Sequence, residues 1–195
     1  MSAGPLHAHR HDPLLEEMQW LWADAEDIWQ RNLKHQGFAS YVSADYAEIY
    51  RALARLEGQV DTILEWGSGL GVVAIMASRL GFQAYGIEVE PALVEHATEL
   101  SDSYNANAQF AAGSFIPDDY DWEPDAPGLP SRTDTDSRAA YSELDMEPRD
   151  FDLFYAYPWP DEHPFFLDIL QKYGRKGALF LCYDAREGIS LSAIG

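Results

Sequence analysis

Three glycines at alternate positions follow an acidic residue in the first half of the chain. The stretch reads TILEWGSGLG, with Glu65 before Gly67, Gly69 and Gly71. Glycine adopts backbone conformations that a Cβ disfavours, and it lets a ligand approach the main chain closely. Apolar residues precede the glycines and recur at helical spacing after them, which predicts a buried strand, a turn and a helix N-terminus. This arrangement is typical of a site for a nucleotide-like ligand at the carboxyl end of a parallel strand.

The glycines alone leave two classes of ligand open. Nicotinamide and flavin domains favour G-x-G-x-x-G/A, and that pattern fails from Gly67 because Val72 stands at its last position. It fits from Gly69, through Gly71 and Ala74. An NAD(P)-dependent oxidoreductase therefore stays an alternative, although an acid two residues before the first glycine counts against it.

The series E-x-G-x-G-x-G after an apolar strand resembles motif I of the class I S-adenosylmethionine-dependent methyltransferases. The resemblance covers roughly residues 62–183 and implies S-adenosylmethionine as the cofactor. It also implies methyl transfer to a small-molecule or protein acceptor. By this resemblance the cofactor contacts the turn through Glu65, Gly67, Ser68, Gly69 and Gly71.

Two further positions match the cofactor side of this family. Glu88 ends the next apolar stretch, 21 residues after Gly67, close to the spacing of about 20 residues at which a ribose-binding acid is expected. The resemblance implies that Glu88 orients the ribose. After the third strand the family usually places an acid near the adenine amine, and here Ser114 and Phe115 stand there. A serine hydroxyl bonds the adenine edge less strongly than a carboxylate.

The stretch AYPWPDEH follows the fourth predicted strand, where the family places its acceptor-side residues. Tyr157 and Trp159 are expected to form an aromatic rim that suits a cationic sulfonium, and His163 is a candidate base by its position. The alternative is that the aromatic residues only pack the end of the sheet and that His163 lies in a surface turn. Since Ala156 stands where related enzymes place a polar group for an acceptor nitrogen, we assign no nitrogen acceptor. A non-catalytic S-adenosylmethionine-binding protein therefore remains a second alternative.

The elements that must position these residues alternate between strand and helix, which indicates an α/β fold with a Rossmann-like, doubly wound and mostly parallel sheet. We predict the strand order 3-2-1-4-5, with the C-terminal strands shortened or missing. The chain divides into a flexible tail over 1–12, an N-terminal helical cover over 13–58 and an S-adenosylmethionine-binding domain over 59–195. An acidic, proline-rich insertion over 114–150 interrupts that domain. The predicted helices are 13–34, 43–56 (capped by Ser43), 69–80, 91–101 and 163–172, and the predicted strands are 62–66, 83–88, 109–112, 151–155 and 178–183.

The composition limits the classes of partner that the protein is expected to bind. The chain carries 33 acidic and 13 basic residues, a net charge of −20, which repels nucleic acid and anionic membranes. The single cysteine, Cys182, excludes an internal disulfide and is typical of the reducing cytoplasm. His7, His9 and His11 alternate in the tail, but nothing nearby would hold them as metal ligands, so we predict no metal site. An uncovered edge of the sheet would allow a homodimer.

Overall fold

One sheet of six strands forms the centre of the computed structural model, which describes residues 12–35, 38, 44–121, 133–135, 137–159 and 161–195. The strands are β1 (Thr62–Trp66), β2 (Gln83–Glu88), β3 (Gln109–Ala112), β4 (Leu153–Ala156), β5 (Leu179–Asp184) and β6 (Gly188–Ala193). The helices are α1 (Pro13–Asn32), α2 (Tyr46–Leu56), α3 (Val72–Arg79), α4 (Pro91–Ser103) and α5 (His163–Tyr173). Two short 3-10 turns, Tyr141–Glu143 and Pro148–Asp150, precede β4.

The strand order is β3-β2-β1-β4-β5-β6. The first five strands are parallel, so the predicted α/β class and parallel sheet are confirmed. The order differs from the prediction by one strand, because β6 pairs antiparallel with β5 from Gly188 to Ala193. The residues after the fifth strand therefore extend the sheet instead of leaving β5 at its edge.

Alternate residues of each strand face opposite sides of the sheet and divide the core in two. Ile63 of β1 belongs to the cluster that packs on α1, α2, α3 and α4. Its neighbours Leu64 and Trp66 belong to the cluster that packs on α5 and on residues 140–151.

The N-terminal helices lie on α3, where the Trp22 indole N–H donates to the Met76 sulfur at 3.2 Å. The helical cover thus packs on the helix that follows the glycine turn.

Two aspartates cap the N-terminal helices. Asp12 accepts the backbone N–H groups of Leu14 and Leu15, each at 3.1 Å. Asp12, the last residue of the expected tail, is the N-cap of α1, and residues 1–11, with the three alternating histidines, lie outside the described residues. Asp45 accepts the N–H of Glu48 at 3.0 Å and caps α2. The helix therefore begins three residues after the predicted cap, Ser43, which also lies outside the described residues.

The described part of the 114–150 insertion is packed against the domain. The backbone of Ser114 pairs with that of Ala139 in an isolated parallel bridge. The Tyr141 hydroxyl donates to the Phe115 carbonyl at 2.6 Å, and the Tyr120 hydroxyl donates to Asp168 of α5 at 2.6 Å. These contacts hold both ends of the insertion beside the carboxyl end of the sheet. Within the described residues, no helix is both long and apolar enough to cross a membrane.

Candidate functional site

The glycine turn connects β1 to α3 in left-handed backbone conformations. The φ angles of Gly67, Gly69 and Gly71 are 68°, 53° and 70°, values that favour glycine over residues with a Cβ. The Ser68 N–H donates to the Ile87 carbonyl of β2 at 2.9 Å, and the Gly71 N–H donates to the Ser68 carbonyl at 2.7 Å. The turn is therefore fixed to the neighbouring strand before any ligand binds.

The first and third glycines of the turn have different surroundings. A Cβ built on Gly67 would meet nothing within 4 Å, so the space above this residue is open. A Cβ on Gly71 would lie 2.4 Å from the Phe110 ring of β3 and 3.0 Å from the Ala97 Cβ of α4. Gly67 thus leaves room for a ligand, whereas Gly71 leaves room for the protein's own core.

Glu88 ends β2 beside the turn, and its carboxylate is held by backbone donors. One oxygen accepts the Gly69 N–H at 2.8 Å and the other accepts the Glu90 N–H at 3.1 Å. The residue is only 8% exposed, and this burial raises its pKa above the ordinary value while the Gly69 and Glu90 donors oppose the rise. Each carboxylate oxygen has a further lone pair, so Glu88 can still accept hydroxyl groups from a ligand.

Glu65 is the residue before the last of β1, beneath the turn, and is 5% exposed. One carboxyl oxygen accepts the Ala74 N–H in the first turn of α3 at 2.9 Å. Burial, with a smaller contribution from the charge of Glu88, raises the pKa of Glu65 to about 8. The side chain is therefore mostly protonated at neutral pH, and it joins the end of the strand to the start of the helix.

A cavity of about 690 Å³ opens above the turn, at the carboxyl ends of the parallel strands. Nine of the eleven residues predicted for the site line it: Glu65, Gly67, Ser68, Gly69, Glu88, Ser114, Phe115, Tyr157 and Trp159. The structure does not bring the other two into the lining. Gly71 is covered by Phe110. His163 begins α5 with an exposed side chain, and its ring centre lies 5.7 Å from that of Phe180.

Ser114 and Phe115 form the wall after β3. The Ser114 hydroxyl is buried and accepts the Ile116 N–H at 3.1 Å, so its own proton stays available to a ligand. The Phe115 ring stacks on Trp66 with centroids 4.7 Å apart and planes 15° apart. This wall is mainly apolar and carries one hydroxyl group.

The lining of the cavity also contains residues that the sequence reasoning missed. Tyr155 of β4 lies opposite Glu65 in the sheet register and lines the cavity. Asp184 ends β5, and Arg186 and Glu187 come from the turn between β5 and β6. Because the carboxyl ends of parallel strands lie at one edge of the sheet, the residues after the fifth predicted strand could have been expected near the site.

The remaining lining comes from segments distant in sequence. Tyr46 belongs to the first turn of α2, and Asp134 belongs to the insertion. No motif marks either residue. Among the described residues, no group of three or more histidine, cysteine or acidic side chains is arranged to hold a metal ion.

No protein-family model and no curated protein matches the chain. Solved structures match it at low identity. An RNA methyltransferase from Salinibacter ruber, in complex with S-adenosyl-L-homocysteine, is 17% identical over 73% of this chain and 76% of that chain, with a TM-score of 0.51. A methyltransferase from Geobacter sulfurreducens is 17% identical over 90% of this chain and 75% of that chain, with a TM-score of 0.51. Together with the sheet order and the glycine turn, these likenesses show that the chain has the fold of the class I S-adenosylmethionine-dependent methyltransferases.

Proposed function

We propose that this protein is an S-adenosylmethionine-dependent methyltransferase acting on a small-molecule or protein acceptor. The observation that carries the proposal is the open space above Gly67 beside the buried Glu88 carboxylate. When bound, the cofactor supplies a methyl group activated by a sulfonium centre. The solved structures that share the fold include methyltransferases, which supports the proposal.

The cofactor-side residues offer groups that suit an adenosyl ligand. Glu88 would accept the ribose hydroxyls through its remaining lone pairs. The Ser68 hydroxyl is buried and has no hydrogen-bond partner in the described part of the chain, so it can bond a polar ligand atom. Ser114 can donate to the adenine edge, and the ring of Phe115 can pack against the base.

Methyl transfer requires alignment of the methyl group with the acceptor more than it requires covalent catalysis. Tyr157 and Trp159 line the cavity as the aromatic rim that would border the sulfonium. His163 receives no role as a base in this proposal because it lies outside the lining. The roles of these residues remain predictions.

The acceptor is expected to be neither RNA nor DNA. The net charge of −20 opposes approach to a phosphate backbone. The RNA methyltransferase of Salinibacter ruber shares the fold, but the substrate in its name describes that enzyme and is not assigned to this chain. The expected cytoplasmic location and a homodimer through the outer edge of β6 are also part of this proposal.

The surroundings of Gly71 oppose the NAD(P)-dependent oxidoreductase. In the dinucleotide pattern that starts at Gly69, Gly71 is the glycine at which the backbone approaches the pyrophosphate. The Phe110 ring occupies the space beside Gly71, so a pyrophosphate could not lie there without displacing that side chain. This geometry favours the adenosyl ligand over the dinucleotide.

Thermal denaturation with ligands tests the proposal. S-adenosylhomocysteine at about 100 times its Kd should stabilise the protein by about 2.7 kcal/mol. For a chain of this size, that gain raises Tm by roughly 5–10 °C. NAD should leave Tm unchanged, and stabilisation by NAD alone would transfer the assignment to the oxidoreductase. Binding of the cofactor without turnover on any acceptor pool would support the non-catalytic alternative.

A substitution at Glu88 tests the ribose contact directly. Glu88→Gln loses the charge and leaves one oxygen where two accept the Gly69 and Glu90 N–H groups, so the Kd for S-adenosylhomocysteine should rise about tenfold or more. Calorimetric titration measures this change. Glu95→Gln, at an exposed position of α4 outside the cavity, is the matched control and should bind as the parent does. Equal affinity of the Glu88→Gln protein would remove Glu88 from the site.

A further inference from the structure

The half of the cavity away from the glycine turn has its own chemistry. Resting on the proposed function, we infer that this half binds a cationic amine and that the acceptor atom is the nitrogen of that amine. Ala156 itself carries no polar group for an acceptor. The polar groups of this half belong to Tyr155 of β4, to the β5–β6 turn and to the insertion.

The charged lining of the cavity is strongly one-sided. Among the described residues, seven aspartate or glutamate side chains line it, of which Glu65 is mostly protonated, against one basic side chain, Arg186. The acidic residues on the side away from the glycine turn are Asp134, Asp161, Asp184 and Glu187. A cleft lined by one sign of charge concentrates ligands of the opposite sign and repels ligands of the same sign. Carboxylate and phosphate acceptors are therefore disfavoured.

The hydroxyl of Tyr155 offers a second polar group to a ligand in the cavity. Tyr155 is only 3% exposed and lines the cavity, and its hydroxyl makes no hydrogen bond to any described residue. The hydroxyl is not among the buried atoms that lack a partner, so it is accessible from the cavity, where a bound ligand can become its hydrogen-bond partner. Burial and the nearby Glu65 raise the pKa of Tyr155, so the hydroxyl stays neutral and can accept an N–H.

Aromatic rings complete this half of the cavity. Tyr46, Tyr157 and Trp159 line it from α2 and from the segment after β4. The rings of Tyr157 and Tyr183 pack edge to face, with centroids 4.9 Å apart. This contact helps to fix the position of Tyr157. Ammonium groups are attracted both to the faces of aromatic rings and to carboxylates, so a site that offers both suits them.

An amine also suits the chemistry of the lining. Neither histidine nor lysine is among its described residues, and its carboxylates would favour an ammonium group over a neutral alcohol. The amine gives up a proton to water at the cavity mouth, and its lone pair then forms the new N–C bond as the C–S bond breaks. The electron pair of the broken bond stays on sulfur, and the sulfonium becomes a neutral thioether. When the acceptor is a primary or secondary amine, the methylated nitrogen loses its remaining excess proton to water.

Three probes of one shape test the preference for charge. The protein is saturated with S-adenosylhomocysteine and titrated with 2-phenylethylammonium, 2-phenylethanol or phenylacetate. The ammonium ion should bind about tenfold more tightly than the alcohol, and the carboxylate should not bind measurably. With S-adenosylmethionine instead, 2-phenylethylamine should be methylated and 2-phenylethanol should not.

Variants connect the preference to the named residues. Tyr155→Phe, and the pair Asp161→Asn with Glu187→Gln, should each weaken ammonium binding about three- to tenfold without changing the Kd for S-adenosylhomocysteine. Asn tolerates the positive φ of 73° at position 161. Asp102→Asn, an exposed acid of α4 outside the cavity, is the matched control.

The outcomes separate this inference from the function on which it rests. Binding of the alcohol or the carboxylate as tightly as the ammonium ion, in a protein that holds S-adenosylhomocysteine, would overturn the amine inference alone. Failure to bind S-adenosylhomocysteine would overturn the proposed function itself. Methylation of the alcohol in preference to the amine would assign an oxygen acceptor.

Discussion

At the scale of single residues, Glu65 combines a hydrogen bond to the backbone with nearly complete burial. Its pKa is about 8, against an ordinary value of 4.5. The folded state therefore holds a proton that the unfolded state releases, so the contribution of this group to stability is full below about pH 4.5 and is lost as the pH rises through about 8. We predict that Tm falls by several degrees between about pH 6 and pH 9, as measured by circular dichroism.

The variant Glu65→Gln isolates this contribution. The amide keeps an oxygen to accept the Ala74 N–H but has no proton to lose, so its Tm should fall less than that of the parent over the same range. Some fall should remain, because burial also raises the pKa of Glu88. Glu95→Gln should reproduce the parent's slope. Parallel slopes for the parent and Glu65→Gln would mean that Glu65 is ionised in the folded protein.

The same residues show what the sequence could predict of the site. The sequence places Glu65, Gly67 and Glu88 close together, and all three line the cavity, because a strand, a turn and a second strand fix them within about 25 residues of one another. Tyr155 and Glu187 were not expected in the lining of the cavity, because their place there depends on the sheet bringing β4 and the β5–β6 turn close to β1. His163 follows the fourth strand as expected, but the start of α5 places its ring against Phe180. The spacing of residues along the chain does not specify which way the His163 side chain points.

At the scale of elements, the contact of α3 with β3 depends on the missing side chain of Gly71. An alanine there would have a left-handed φ of 70° and a Cβ 2.4 Å from the Phe110 ring. The backbone strain alone costs about 1–2 kcal/mol, and the contact with Phe110 adds to it. We predict that Gly71→Ala lowers Tm by roughly 4 °C or more in thermal denaturation.

Gly67→Ala is the matched control for this effect. Its φ of 68° is nearly the same, but a Cβ at Gly67 meets no atom within 4 Å. The loss of stability should therefore be smaller than for Gly71→Ala, while the affinity for S-adenosylhomocysteine should fall more, because the Cβ enters the space assigned to the cofactor. Adding Phe110→Leu should recover part of the stability of Gly71→Ala and none of the affinity of Gly67→Ala. Equal losses of stability in both single variants would contradict the packing argument.

The elements themselves were largely predictable. Strands β1, β2 and β3 have the predicted bounds, since apolar runs between glycine, proline and polar residues define them. Strand β4 begins two residues later than expected, at Leu153, because Asp152 turns its side chain to the start of β1 and accepts the N–H groups of Asp61 and Thr62. That contact joins residues about 90 positions apart, and local sequence patterns do not contain it.

At the scale of the whole molecule, the charge is the dominant feature that no single contact explains. With 33 acidic and 13 basic residues, at least 20 acids have no basic residue to pair with one to one. The ion pairs in the described residues include Arg79–Glu17 and Lys172–Asp168, at 3.0 and 2.8 Å, both partly exposed. Pairs of this kind contribute about 0–1 kcal/mol each. The folded chain therefore holds a large excess of negative charge in a small volume, which opposes compaction.

Screening by salt should relieve this repulsion. Raising NaCl from about 0.1 M to about 1 M shortens the Debye length from about 10 Å to about 3 Å, so we predict that Tm rises by several degrees in calorimetry over that range. A sucrose series of matched osmolality, which does not screen charge, should give a smaller rise. A variant with Glu95→Gln, Glu99→Gln and Asp102→Asn, all exposed on α4, should start with a higher Tm in low salt and gain less. A Tm that is flat or falls with added NaCl would show that the acidic surface is tolerated without cost, and the repulsion argument would be wrong.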